Sequence, residues 1–211
     1  MKVIAVLNQK GGSGKTTVAT HLARALQLED RSVILVDSDP QGSARDWAAA
    51  KEEHPVLVVG MERANILTRD VKRFSDRDFV IIDGAPQAKE LAVAGVKASD
   101  LVLIPVQPSP YDIWATEDLV DLVKARVEIT EGALKAAFVV SRVIANTRVG
   151  KEIFSILEGY GLPVLKSSVT QRVVFAESAR NGETALDVLP GGDAAREIRN
   201  LAAEVIGLLE G

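Results

Sequence analysis

Lys10-Gly11-Gly12-Ser13-Gly14-Lys15-Thr16-Thr17 is a glycine-rich turn between an apolar run at residues 3–7 and a stretch of helical periodicity at 16–28. Its position carries more weight than its letters. Glycines let the backbone turn N–H groups inward around phosphate oxygens, and the start of a helix adds partial positive charge. In such a loop Lys15 would reach the β- and γ-phosphates of a nucleotide, and the Thr16 hydroxyl would hold Mg²⁺. Gly11, Gly12, Ser13, Gly14 and Thr17 complete the cradle. The competing reading is a plain strand-to-helix turn with a chance lysine.

Outward from the loop, apolar runs at 3–7, 33–36, 56–59, 79–82, 101–106, 136–140 and 163–169 alternate with helix-like stretches. Those stretches cover 16–28, 43–51, 64–74, 88–98, 114–126 and 149–160, and 193–209 reads as a closing helix. Most of the runs are continuous, as in strands covered on both faces. Strand–helix alternation implies an α/β fold: a doubly wound, mostly parallel sheet with helices on both faces. No linker, repeat or low-complexity stretch interrupts 1–211, so one domain is expected.

Composition narrows the class. The chain has 211 residues, 47% apolar and 26% charged, which suits a soluble globular domain with a large core. No apolar run reaches the roughly 18 residues of a membrane span. Asn8-Gln9-Lys10 follows the first run with no small-residue cleavage site, so that run reads as a buried strand rather than a signal peptide. There are no cysteines, which excludes disulfides, thiolate catalysis and cysteine-held clusters and fits a cytoplasmic location. His21 and His54 lack metal-ligand companions, and Trp47 and Trp114 read as core or interface anchors. The formal net charge of −4 speaks against constitutive nucleic-acid binding.

Two further strands end in acids. Val36-Asp37-Ser38-Asp39-Pro40-Gln41-Gly42 places two carboxylates at the carboxyl edge of a strand, where open sheets bind ligands. Asp39-Pro40 also suits a plain turn that caps the next helix. Phe79-Val80-Ile81-Ile82-Asp83-Gly84 has the Walker B pattern, with Asp83 expected to meet Mg²⁺-bound water or Thr16. Ile104-Pro105-Val106-Gln107-Pro108-Ser109-Pro110-Tyr111-Asp112 forms a stiff loop, with Asp112 available to cap the next helix.

The phosphate loop departs from the usual pattern at its first letter. Gln9 stands where a glycine is expected, and a second lysine, Lys10, precedes the double glycine. With that deviant Walker A motif, the chain resembles the ParA/MinD group of P-loop ATPases, and among them the short, ParF-like partition ATPases. The motifs at 10–17, 37–42, 79–86 and 104–112 occur in the group's order. The resemblance implies ATP and Mg²⁺ as cofactors and a homodimer formed with ATP. Lys10 would cross to the partner's triphosphate, and Lys10, Lys15 and Asp39 would be catalytic. Asp39 would orient the attacking water. Thr16, Asp37 and Asp83 would serve the metal, and Arg142 and Pro190 would contact adenine. Gly84 would leave room near the γ-phosphate, where many relatives carry threonine.

The same resemblance implies DNA segregation: non-specific DNA binding by the ATP dimer on the nucleoid, hydrolysis stimulated by a small centromere-binding (ParB/ParG-like) adaptor, and no membrane. Lys166, Arg172, Arg180, Arg196 and Arg199 are the basic candidates, diluted by Glu177, Glu183, Asp187 and Glu197. Two alternatives share the site. One is a positioning ATPase for a protein cargo. The other is a membrane-cycling ATPase, disfavoured because the tail from 202 to 211 has no Lys or Arg.

Overall fold

A computed structural model describes residues 1–144 and 147–211. Among these, seven strands build one sheet. In chain order they are β1 (Lys2–Val6), β2 (Val33–Asp37), β3 (Leu57–Gly60), β4 (Phe79–Asp83), β5 (Leu101–Val106), β6 (Lys135–Val143) and β7 (Val169–Thr170). Their spatial order is β3-β2-β4-β1-β5-β6-β7, and every pairing is parallel. The order runs outward in both directions from the centre, so β1, β2 and β4 end together at the point where ligands bind in open α/β sheets.

The helices are α1 (Lys15–Leu28), α2 (Ser43–Ala49), α3 (Ala64–Asp70), α4 (Lys89–Ala98), α5 (Pro110–Trp114), α6 (Glu117–Ile129), α7 (Arg148–Glu158), α8 (Val173–Arg180), α9 (Ala185–Val188) and α10 (Asp193–Glu210). They cover both faces, which is why the central strands β1, β2, β4 and β5 are apolar over most of their length. Ile4, Leu35, Ile81 and Leu103 point to one side and pack with Leu22 and Leu26 of α1 and Ile198, Leu201 and Val205 of α10. Val3, Val80, Ile82 and Ile104 point to the other, against Leu67, Leu91, Leu119, Val123 and Ile153. Each such side chain, fully buried, contributes about 1.5–3 kcal/mol.

Four segments differ from the sequence reading. Of 163–169, only Val169 enters a named strand, and Val164 makes one isolated bridge to Phe138. The Glu204 carboxylate takes the N–H groups of Lys166 and Ser167, at 3.1 and 2.9 Å, away from ladder formation. The helices α8 and α9 have no counterpart in the sequence pattern, because neither is long enough to show a full periodic stripe. The capping box of α9, Thr184 with Asp187, was its one readable signal. The expected 64–74 helix divides into α3 and a 3-10 turn, Val71–Phe74. The helix expected from Trp114 is two helices, because α5 begins earlier with Pro110 in its first turn.

Candidate nucleotide site

The loop after β1 is pinned before it turns. Asn8 is buried; its amide donates to the Pro105 carbonyl at 2.7 Å and its Oδ1 accepts from the Lys10 N–H at 2.8 Å. Gly12 and Gly14 have φ of 77° and 91°, a region that strains any residue with a Cβ. The Gly12 carbonyl accepts from Gln107 Nε2 at 2.7 Å and Arg142 Nη1 at 3.0 Å, and the Ser13 carbonyl accepts from Ser141 Oγ at 2.6 Å. With those carbonyls held by the ends of β5 and β6, the amides that open α1 are left to meet an anion.

Charge is concentrated below this loop. The β2–β4 register sets Asp37 beside Asp83, and both are wholly buried. Neither Asp83 oxygen has a hydrogen-bond partner among the described residues. Burial pushes its carboxyl up to about 7; the nearby Thr16 hydroxyl tempers that rise without completing a bond, and Asp37 adds to it. Lys15 is also buried, which lowers its pKa, while Asp83 and Asp39 pull it back. Its Nζ rests on the Lys10 carbonyl at 2.9 Å. A buried carboxylate without a partner is costly and needs a cation or water to satisfy it. Set beside a threonine hydroxyl at a cavity wall, it suits Mg²⁺, which takes few protein oxygens and keeps its waters.

Asp37 faces the segment that follows it. Its Oδ1 accepts from the Asp39 N–H at 3.0 Å, and its Oδ2 from the N–H groups of Ala44 and Arg45 at 3.1 and 3.0 Å. Since α2 has no side-chain cap of its own, Asp37 supplies one from the strand below. Asp39 stands on the cavity wall with its Oδ1 accepting from the Gln41 N–H at 3.0 Å.

The cavity measures about 920 Å³ and brings Gly11, Gly12, Gly14, Lys15, Thr16, Thr17, Asp39 and Arg142 together. Its far wall is Ile144, Val173 and Phe175, supplied largely by the segment the sequence reading left unassigned. Pro190, expected to contact adenine, is not among the residues lining the cavity, and its carbonyl accepts from Arg199 at 2.8 Å. Arg142 is on the wall, but its guanidinium grips the loop carbonyl. Ser141 and Gln107 were missed; a polar residue at a strand's carboxyl end was the only signal. Gly84 opens no space toward a phosphate, because a Cβ there would lie 2.5 Å from Leu7 Cδ2 and 2.9 Å from the Val6 carbonyl. Lys10 lies outside the cavity, paired with Asp112 at 2.7 Å.

Residues 4–185 match the CobQ/CobB/MinD/ParA nucleotide binding domain. The chain belongs to this family. Within it, the chain is 32% identical over 209 residues to the maintenance of carboxysome distribution protein A of Halothiobacillus neapolitanus, covering 96% of this chain and 95% of that one. It is 26% identical over 239 residues to the chromosome-partitioning ATPase Soj of Thermus thermophilus, covering 98% and 96%. The fold superimposes on cobyrinic acid a,c-diamide synthase from Mycobacterium smegmatis, solved with a bound ATP analogue and magnesium. That match has a TM-score of 0.79 at 21% identity and covers 100% of this chain and 96% of that one. The resemblance drawn from the deviant loop and the expected doubly wound sheet are both borne out.

Proposed function

We propose that this chain binds ATP with Mg²⁺ in the cavity, pairs with a second copy while the triphosphate is intact, and hydrolyses it as a switch that positions a cargo. The observation that carries the reading is the buried Asp83 carboxylate, without a hydrogen-bond partner among the described residues, beside Lys15 and Thr16 under a pinned phosphate loop. Lys15 neutralises the terminal phosphates, the opening amides of α1 hold their oxygens, and Thr16 and Asp83 hold the metal and its waters. Bound Mg²⁺ supplies charge neutralisation between the phosphates. Asp39 orients the attacking water, and Asp37 fixes the loop that carries Asp39. Lys10 serves the neighbouring chain's triphosphate.

The cargo is a large protein assembly, a reading supported by the 32% identical relative named for distributing carboxysomes. Three of the five basic candidates are already engaged. Arg172 pairs with Glu197 at 2.8 Å, Arg196 pairs with Asp193, and Arg199 is engaged by the Pro190 carbonyl. Only Lys166 and Arg180 of the five basic candidates stand exposed without such a partner among the described contacts. The Soj relative favours the second reading, DNA segregation with a centromere-binding adaptor. Both readings allow a DNA surface bound only by the ATP dimer, with affinity that falls steeply as salt rises. No helix among the described residues is long and apolar enough to cross a membrane. The apolar side of α10 is spent against the core.

Titration with a fluorescent ATP analogue tests the site. Wild-type chain should bind it with Mg²⁺ and sediment as a dimer with a non-hydrolysable analogue. Lys15→Ala should weaken binding at least about a hundredfold, the usual scale for losing a preorganised charge. A wild type with no Mg-dependent affinity sinks the reading. Stimulation of hydrolysis by a centromere-binding adaptor together with DNA would favour segregation.

A further inference from the structure

The short helix α5 carries a buried acid that the proposed reaction does not use. Asp112 is 5% exposed, and one oxygen meets Lys10 Nζ at 2.7 Å. The other oxygen is buried with no hydrogen-bond partner among the described residues. Among the described residues, Lys10 is therefore the one side chain that compensates this carboxylate. Withdrawing a single partner from a buried charge is strongly unfavourable, so the lysine has a defined resting place rather than a free one. Its backbone is tied as well, since the Lys10 carbonyl accepts from Lys15 Nζ at 2.9 Å.

These two contacts join the phosphate lysine to the second lysine. Nucleotide that draws Lys15 to its phosphates removes the tie on the Lys10 carbonyl, while the Lys10 side chain stays with Asp112. Only a stronger anion, such as a triphosphate presented by a second chain, takes it away. Tyr111 and Trp114 flank Asp112 on α5 and are 74% and 59% exposed, so the helix meets solvent beside the held lysine.

We propose that Asp112 is a positioning residue that holds Lys10 in reserve and sets the nucleotide concentration at which two chains pair. The inference rests on the dimerising role given above. Two readouts test it in the full chain. The first is the rate at which an amine-reactive reagent labels Lys10 without nucleotide, followed by peptide mass spectrometry. Asp112→Asn should label faster than wild type, and Asp112→Glu should return the rate toward wild type. The second is the concentration of a non-hydrolysable ATP analogue at half-dimerisation, by sedimentation. Asp112→Asn should lower it about ten- to a hundredfold, the range for giving up a charge-assisted hydrogen bond. ADP affinity of the variant serves as the check on folding, with Asp112→Ser as a second substitution if Asn is unstable. Unchanged labelling, or faster labelling with an unmoved midpoint, overturns the proposal while wild-type pairing leaves the proposed function standing. Wild-type chains that never pair with the analogue overturn both.

Discussion

At the ends of β2 and β4, Asp37 and Asp83 are wholly buried, and Asp83 lacks any partner among the described residues. Around α8 and α10, Arg172, Asp193, Arg196 and Glu197 are partly or well exposed and paired with one another. Asp83 holds negative charge that a bound cation would relieve, while Asp37 beside it is met by three backbone N–H groups. The second group has its charges met already and fastens β7 and α8 to α10 through Glu197, which also accepts from Thr170. Unmet charge marks where a ligand is wanted, and met charge marks scaffold.

The contrast can be broken most sharply at Asp39, which belongs to the cavity but has partners in its own turn. Asp39→Ala should lower hydrolysis about 10²–10⁴-fold while leaving Mg-ATP affinity near wild type, measured by phosphate release at saturating ATP. Equal loss of affinity would move Asp39 from the chemistry to the binding charges.

His21 sharpens the comparison, being a buried titratable group that is fully satisfied. Its Nε2 accepts from the Ala185 N–H at 3.1 Å, which leaves Nδ1 to donate to the Thr17 carbonyl at 2.9 Å. Burial pushes its pKa down to about 4. The folded value lies below the ordinary one of about 6.5, so the stability it contributes is present above pH 6.5 and is lost as pH falls through 4. The full loss is about 3 kcal/mol. Urea unfolding between pH 7.5 and 4 should show that slope, and His21→Asn should flatten it.

Gly84 tests whether the strand ends are packed or open. Gly84→Ala should cost about 1–3 kcal/mol by overpacking against Leu7 and the Val6 carbonyl. The double variant with Leu7→Ala should be less destabilised than the sum of the two single changes, read by denaturant midpoint. Arg196→Ala, within the satisfied cluster, should move stability by no more than about 0.5 kcal/mol and leave nucleotide affinity unchanged. A large loss of affinity there would erase the distinction between the two regions.

The sequence by itself determined the alternation of strand and helix, the phosphate loop and the acids at two strand ends. Each of these is written in contiguous residues: an apolar run, a glycine turn, a carboxylate that closes a strand. The family followed from the same local code, from Lys10 at the deviant position together with the order of the motifs. Tertiary structure alone decided what those groups do to one another. Asp37 caps α2, Leu7 fills the space at Gly84, Asp112 holds Lys10, and Val173 and Phe175 wall the cavity. Leu7 and Gly84, like Asp112 and Lys10, lie far apart in the chain, and short-range pattern carries no record of such pairings. They exist because parallel strand order brings distant carboxyl ends to one edge, where burial makes every polar group answer to whichever partner the fold supplies.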